Sequence, residues 1–425
     1  MDRIKKILTR VKDLPIKWKN KVINKVENSK NLRIGLFATA LSIASFVVAI
    51  VISYVAMREY GKNSLYGDVA GQSMDFEQSA TDEELDIDMG EMGGEDSSQN
   101  TTDIVQNDEE STSLTTSKGE NATGETTTDE TTTGNIVQAD DNVQYDVTLN
   151  GEKYKYNEDI LTFLILGIDK NEKVTPAKDG ISGGQSDAIY LLVMNPHTKK
   201  IDLITVHRDT IARLWIYDRD GSFLKTGKAQ ICLQHGYGDG MELSNERAKK
   251  AVSTLFYNLP IHSVTSVNMG AIGKLNDAIG GVTLEALESF SFNGVSFTAG
   301  ETVTLKGEAA YAYTKYRDTS QHFTASKRLE RQKQYLSKAI EQGMVAVKKD
   351  VTTLVDIYGI IKDYVVTDLS IDEMTYLATE SLDYSFGQIY TPAGTIDTSR
   401  TYERYYLDTE EFEKMIINIF YEKVN

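Results

Sequence analysis

Cysteine is all but missing from this chain. Cys232 stands alone, so no disulfide can close within it. Its neighbours Ile231 and Leu233 are apolar, which suits a core thiol better than a reactive one. No CxxC and no His/Cys cluster occurs, which removes the usual zinc signatures. Basic residues nearly vanish from residues 63–141, where Lys118 is the one base against 21 acids. The only strongly basic tract is residues 1–33, with 11 Lys/Arg and 3 Asp/Glu. That tract abuts an apolar run, and the rest is acidic, an arrangement that argues against nucleic acid as a partner. The net charge of −18 is therefore local: +8 lies in residues 1–33 and −20 in residues 63–141, leaving −6 elsewhere. Overall acidity says little about what the folded part binds.

What is present first is a run without charge, Ile34–Met57, 24 residues long. As a helix it reaches about 36 Å, enough for a hydrocarbon core of ~30 Å. Lys/Arg excess lies on its N-terminal side, which places residues 1–33 in the cytoplasm and the bulk of the chain outside. The run is too long for a cleaved signal and ends in Val55-Ala56-Met57-Arg58 without a small-residue cleavage site. A single-pass anchor in the cell membrane is expected. Residues 58–142 follow, rich in Thr, Ser, Asp, Glu and Gly. Such a composition buries too little apolar surface to offset ordering entropy, so a disordered tether is expected there. About 80 flexible residues span roughly 50 Å.

From residue 143 to residue 425 the composition turns globular. Asn150-Gly151 sits in a short hairpin signature. Leu161–Leu166, Ala188–Met194 and Ile201–Val206 are apolar runs of strand length without helical period, as expected of strands covered on both faces. Asn195–Lys200 is a polar turn between the second and third, so these two read as an antiparallel hairpin. Pairing Met194 with Ile201 makes partners sum to 395 and sets Asp187 opposite Arg208. Helices are expected over Ser244–Leu259 with Ser244 as N-cap, Met269–Ile279, Lys306–Arg317 and Thr324 to about Lys348, with strands at Ser263–Asn268 and Val282–Leu287. Residues 349–425 alternate helical stretches, at Thr352–Tyr364, Ile371–Leu382 and Thr409–Tyr421, with little that looks catalytic, and complete the same domain. The fold class is α/β, a three-layer domain with a central mixed β-sheet flanked by helices, preceded by one transmembrane helix and the tether.

Asp169 follows the first strand. If that strand runs parallel to the third, Asp169, Asp187, Arg208 and Asp209 converge at one sheet edge, where ligands of open α/β sheets bind. Carboxylates beside an arginine suit a cation plus a phosphate. The plain alternative is strand-end residues that pair with one another. A second loaded stretch holds Lys315, Arg317, Arg328, Arg331 and Gln332. The last three share one helix face at i, i+3 and i+4. Guanidinium forks there suit a pyrophosphate, and a solvated helix surface is the bland alternative.

LILGID, QSDAIYLLVMNPHTKKIDLITVHRDT, KLNDAIGGV, TLKGEAAYAYTKYRD and RLERQ occur in this order over roughly residues 160–340. Together they resemble the LytR–CpsA–Psr family of bacterial cell-wall enzymes. The resemblance implies a membrane-anchored phosphotransferase that moves a polyprenyl-pyrophosphate-linked glycopolymer, a teichoic acid or a capsule, onto peptidoglycan. It implies Mg²⁺ on Asp169 and Asp187. It implies a pyrophosphate site of Arg208, Lys315, Arg317, Arg328, Arg331 and Gln332, with Arg208 and Asp209 in the catalytic step. Where the family usually has Arg-Ser-Asp, Pro-Arg-Asp and Arg-x-Arg, this chain has Gln185-Ser186-Asp187, His207-Arg208-Asp209 and Lys315-Tyr316-Arg317. A non-catalytic binding module and a polyprenyl pyrophosphatase are the competing readings.

Overall fold

The structure is a computed structural model that describes residues 52–76, 82–87, 136–138, 146–318, 324–350 and 352–424. Its centre is a six-stranded mixed sheet in the order Val365–Thr367, Ser263–Asn268, Leu161–Ile168, Ser186–Asn195, Lys200–Val206, Ser385–Tyr390. The hairpin has the expected register, with Met194 opposite Ile201 and Ile189 opposite Val206. Leu161–Ile168 pairs antiparallel with Ser186–Asn195, so it runs the same way as Lys200–Val206. Its other neighbour, Ser263–Asn268, is parallel.

Strand period explains why the sheet is covered twice. Leu164, Leu166, Leu191, Val193, Ile204 and Val206 point to one face, against Ala251, Val252, Ile416 and Phe420 of two helices, Glu242–Leu255 and Thr409–Phe420. Leu161, Phe163, Met194 and Ile201 point to the other, against Leu65, Tyr376 and Tyr384. Alternate side chains on each strand thus enter different layers. The three-layer α/β reading holds.

Several boundaries move. The Glu242–Leu255 helix starts two residues before Ser244, because Asp239 Oδ1 accepts from the backbone of Met241 and Ser244 and takes over the capping role. It stops before Tyr257 and Asn258, whose positive φ of 56° and 61° cannot continue a helix. A hairpin of Ile211–Tyr217 with Phe223–Gln230 had no expected counterpart. Residues 349–425 contain the three expected helices, as Thr352–Ile361, Ile371–Glu380 and Thr409–Phe420, and between them supply both edge strands of the central sheet and a further hairpin of Gly394–Asp397 with Arg404–Leu407.

The largest departure concerns the expected tether. Residues 1–51, including most of the apolar run, lie outside the described residues, as do 88–135. Among the described residues no helix is long and apolar enough to cross a membrane. Residues 52–68, however, form a helix that packs on the domain. Leu65 is 1% exposed, and Arg58 pairs with Glu380 at 2.9 Å. Gly61 meets the backbone of Asp372 so closely that any Cβ would collide with it. Further on, Phe76 stacks on Tyr257 at 4.6 Å. Composition hid this, because a few spaced apolar residues can dock a polar segment on a preformed surface. Leu65→Ala is therefore expected to destabilise the domain by about 3 kcal/mol in urea denaturation. A change under about 0.5 kcal/mol would mark the segment as a free tether.

Candidate active site

The edge where the strands at Ile168, Ser186 and Val206 end gathers most of the expected residues. The hairpin register places Arg208 beside Asp187, and the two form an ion pair. The same guanidinium donates from Nη2 to Gln185 Oε1 at 2.7 Å, and its Nε lies 3.3 Å from Asp209 Oδ1. Its Nη2 also reaches Cys232 Sγ at 3.4 Å, so the lone thiol is a core residue, as expected, whose sulfur borders the site. Burial pushes the Cys232 thiol up to about 12, which keeps it protonated and non-nucleophilic. Burial also works against charge on Arg208, but its neighbours, Asp209 and Asp169 among them, outweigh this and raise its pKa.

Asp169 arrives by a tight turn. Gly184 has φ 93°, and a Cβ there would press on Ile168 and Lys170. This turn aims the Gln185 N–H at Asp169 Oδ1, 2.8 Å away. Burial raises the Asp169 pKa, opposed by that hydrogen bond and by Arg208 and Lys315. Asp169 is thus a half-buried carboxylate that a cation would favour.

The Thr324–Lys349 helix closes the site from above. Arg328 Nη1 lies 3.8 Å from Asp187 Oδ2. Burial, then Arg208 and Arg317, push its pKa down to about 10. The three guanidiniums are close enough to repel. A narrow cavity separates this helix from the strands, lined by Asp187, Tyr190, His207, Arg208, Arg328 and Gln332. Arg317 pairs with Glu403 at 3.4 Å. Lys315 lies near Asp169 and reaches Met269 Sδ at 3.7 Å.

Arg331 is the exception. It is 1% exposed and turned away, with Nε donating to the Tyr313 carbonyl at 2.9 Å, and with Tyr316 O and Glu288 as its other partners. Gln332 Nε2 donates to the Thr314 carbonyl at 3.2 Å. These carbonyls end the Glu308–Lys315 helix, where backbone acceptors lack intrahelical donors. Arg331 caps that helix, and the expectation that it joins the pyrophosphate site is corrected. Gln332 also caps it, yet still lines the cavity.

Sequence reasoning missed Tyr405 and Glu403. The Tyr405 ring stacks on His207 at 4.8 Å, and its N–H donates to the Asp209 carbonyl at 2.8 Å. The stretch around them carries no motif, and its pairing crosses nearly 200 positions. His207, seen only as a departure from proline, accepts from the Asp209 N–H at 3.2 Å. Burial lowers its pKa, which keeps it neutral.

A three-layer α/β domain with arginines and carboxylates gathered at one strand edge is the class that the fold and the site define. The chain belongs to the LytR_cpsA_psr family, which matches residues 110–417. An Enterococcus faecalis relative named polyisoprenyl-teichoic acid–peptidoglycan teichoic acid transferase TagU is 30% identical over 240 residues, 55% of this chain and 69% of that protein. Its namesake from Bacillus licheniformis is 27% identical over 220 residues, covering 51% and 63%. The match thus spans about two thirds of the length of these relatives. A crystal structure of a Streptococcus agalactiae protein shares the fold, with a TM-score of 0.50 and 20% identity, over 61% of this chain and 86% of that one.

Two predictions separate the roles. Arg331→Ala is expected to cost about 3 kcal/mol of stability, because it strands Glu288 and two helix-end carbonyls, while the protein that folds binds pyrophosphate normally. Arg328→Ala is expected to weaken pyrophosphate binding roughly tenfold or more. The reverse pattern in a pyrophosphate titration would return Arg331 to the site. For Asp169, a raised folded pKa means that the folded state holds its proton more tightly than the unfolded chain does. Its ionisation therefore lowers stability as pH rises through the folded value. Asp169→Asn is expected to raise the thermal midpoint near pH 8, with the gain gone below the ordinary aspartate value of 3.8. A midpoint difference that does not change with pH would contradict the burial argument.

Proposed function

We propose that this chain is a membrane-anchored, Mg²⁺-dependent phosphotransferase that moves a glycopolymer from a polyprenyl-pyrophosphate carrier onto peptidoglycan. The observation that carries the reading is the crowding of Arg208, Arg317 and Arg328 at the sheet edge, where Arg208 and Arg317 add to burial in lowering the pKa of Arg328 and are themselves held by Asp187 and Glu403. An incoming phosphate would relieve that repulsion. The names of the family relatives fit the same chemistry, and the Lys/Arg excess before Ile34 supports a cytoplasmic N-terminus with the catalytic domain outside.

Charge supports the cation. The site holds Arg208, Lys315, Arg317 and Arg328 against Asp169, Asp187, Asp209 and Glu403, so it is balanced before substrate enters. A pyrophosphate alone would leave it negative, and a divalent ion entering with it would offset that. Among the described residues no group of three or more His, Cys, Asp or Glu could hold a metal. Asp169 and Asp187 fit Mg²⁺, which commonly takes one or two carboxylates and completes its shell with substrate phosphates and water. When bound, the ion would neutralise charge building on the phosphate.

The protein's own part is positioning. Arg208 and Arg328 bind equatorial phosphate oxygens, with Arg317 at the rim. Asp209 or Asp169 takes the proton of the attacking acceptor hydroxyl, the P–O bond to the acceptor forms, and the bond to the polyprenyl phosphate breaks in line. The two departures have local roles. Gln185 orients Arg208 through its carbonyl, and Lys315 supplies a point charge near Asp169.

The test uses the full chain in detergent with lipid-linked glycopolymer, peptidoglycan and Mg²⁺. Polymer linked to peptidoglycan through a phosphodiester is expected, and Asp187→Asn should abolish it. Released phosphate without linkage would make the chain a pyrophosphatase. Stable binding without either product would make it a binding module.

A further inference from the structure

Residues 82–87 lie along the edge of the Phe223–Gln230 strand as a short parallel addition. Glu84 bridges Lys228, with the Leu85 N–H donating to the Lys228 carbonyl and the Lys228 N–H to the Glu83 carbonyl, each at 2.8 Å. Asp82 pairs with Arg213 at 2.9 Å and accepts from the Thr226 hydroxyl at 2.7 Å. The decisive contact is with Arg404, which is 1% exposed. Among the described residues its guanidinium meets only acceptors from this segment: Glu84, Asp86 at 2.6 Å, and the Leu85 carbonyl at 3.3 Å. Tyr406 adds a hydroxyl bond to Glu84 at 2.9 Å.

Arg404 stands between the two residues that wall the phosphate site. Glu403 holds Arg317, and Tyr405 stacks on His207 and bonds the Asp209 backbone. A buried guanidinium that loses its carboxylates must leave the core or distort its strand. Either movement shifts Glu403 and Tyr405.

We propose that the acidic segment Asp82–Ile87 is an intrachain positioning strap: Glu84 and Asp86, by neutralising buried Arg404, hold Glu403 and Tyr405 in place and through them set Arg317, His207 and Asp209 at the phosphate site. The strap makes no contact with substrate. It explains why an acidic stretch near the anchor docks on the catalytic domain. Its role in catalysis rests on the phosphotransferase reading, and its effect on the site wall does not.

The test compares the full chain with Glu84→Gln/Asp86→Asn, which keeps side-chain shape and removes charge. Asp86→Asn alone is the milder form should the double variant fold poorly. Glu410→Gln, at an exposed pair with Lys414 outside the strap, is the control. Titration with inorganic pyrophosphate and Mg²⁺ should show affinity falling roughly tenfold in the double variant, the scale of one loosened charge-assisted contact, and unchanged in the control. Amide exchange should speed up at residues 403–407 and 207–210. Faster exchange confined to residues 82–87, with unchanged pyrophosphate affinity, would overturn the strap. Should wild type bind no pyrophosphate, the phosphate reading fails, and exchange at residues 403–407 still decides the strap.

Discussion

The ion pair between Arg208 and Asp187 is the constraint on which the rest of the site depends. It exists because the hairpin pairs Met194 with Ile201, and a slip of one residue would send every core side chain to the opposite face. Apolar alternation on both faces therefore pins a charged contact several residues away. Once Arg208 is set, Gln185, Asp209 and Cys232 close around it. Breaking such a pair leaves an uncompensated buried charge, so neither partner can be removed alone without cost.

Arg328 and Arg331 show how one helix face serves two ends. They sit three positions apart, yet Arg328 leans over Asp187 and Arg331 over the end of the Glu308–Lys315 helix. About 60° separates them around the axis, and long side chains widen the gap. Burial lowers both to about 10, but for different purposes. One guanidinium faces two others across a cavity. The other satisfies helix-end carbonyls and lies beside the stacked rings of Phe290 and Tyr316, 4.9 and 5.3 Å from their centroids. The capping arginine fixes the helix from which the first one reaches.

The N-terminal segment reverses the picture of an anchor on a loose cord. Residues 52–76 cross the domain at the end of the sheet where Leu161, Met194 and Ile201 lie, remote from the phosphate edge. Gly61 allows that crossing, because only a residue without Cβ fits against the Asp372 backbone. Residues 82–87 then dock on Arg404 and the Phe223–Gln230 strand. The domain is thus met on two sides by residues 52–76 and 82–87.

Local pattern alone determined the α/β class, the hairpin register and the strand Ser263–Asn268 to the residue, because alternation, strand length and turn chemistry are written within a few positions. It also set Asp187 opposite Arg208, and it brought Asp169 to the same edge only on the condition that the first strand runs parallel to the third, which the sheet pairing supplied. Only the tertiary structure decided that Arg331 caps a helix, that Glu403 and Tyr405 wall the site, and that Glu84 and Asp86 hold Arg404. Glu84 meets Arg404 across 320 positions, and neither residue sits in a periodic pattern. A charged side chain gives its type in sequence but not its partner, because partners are chosen by burial and distance once the sheet and its layers have closed.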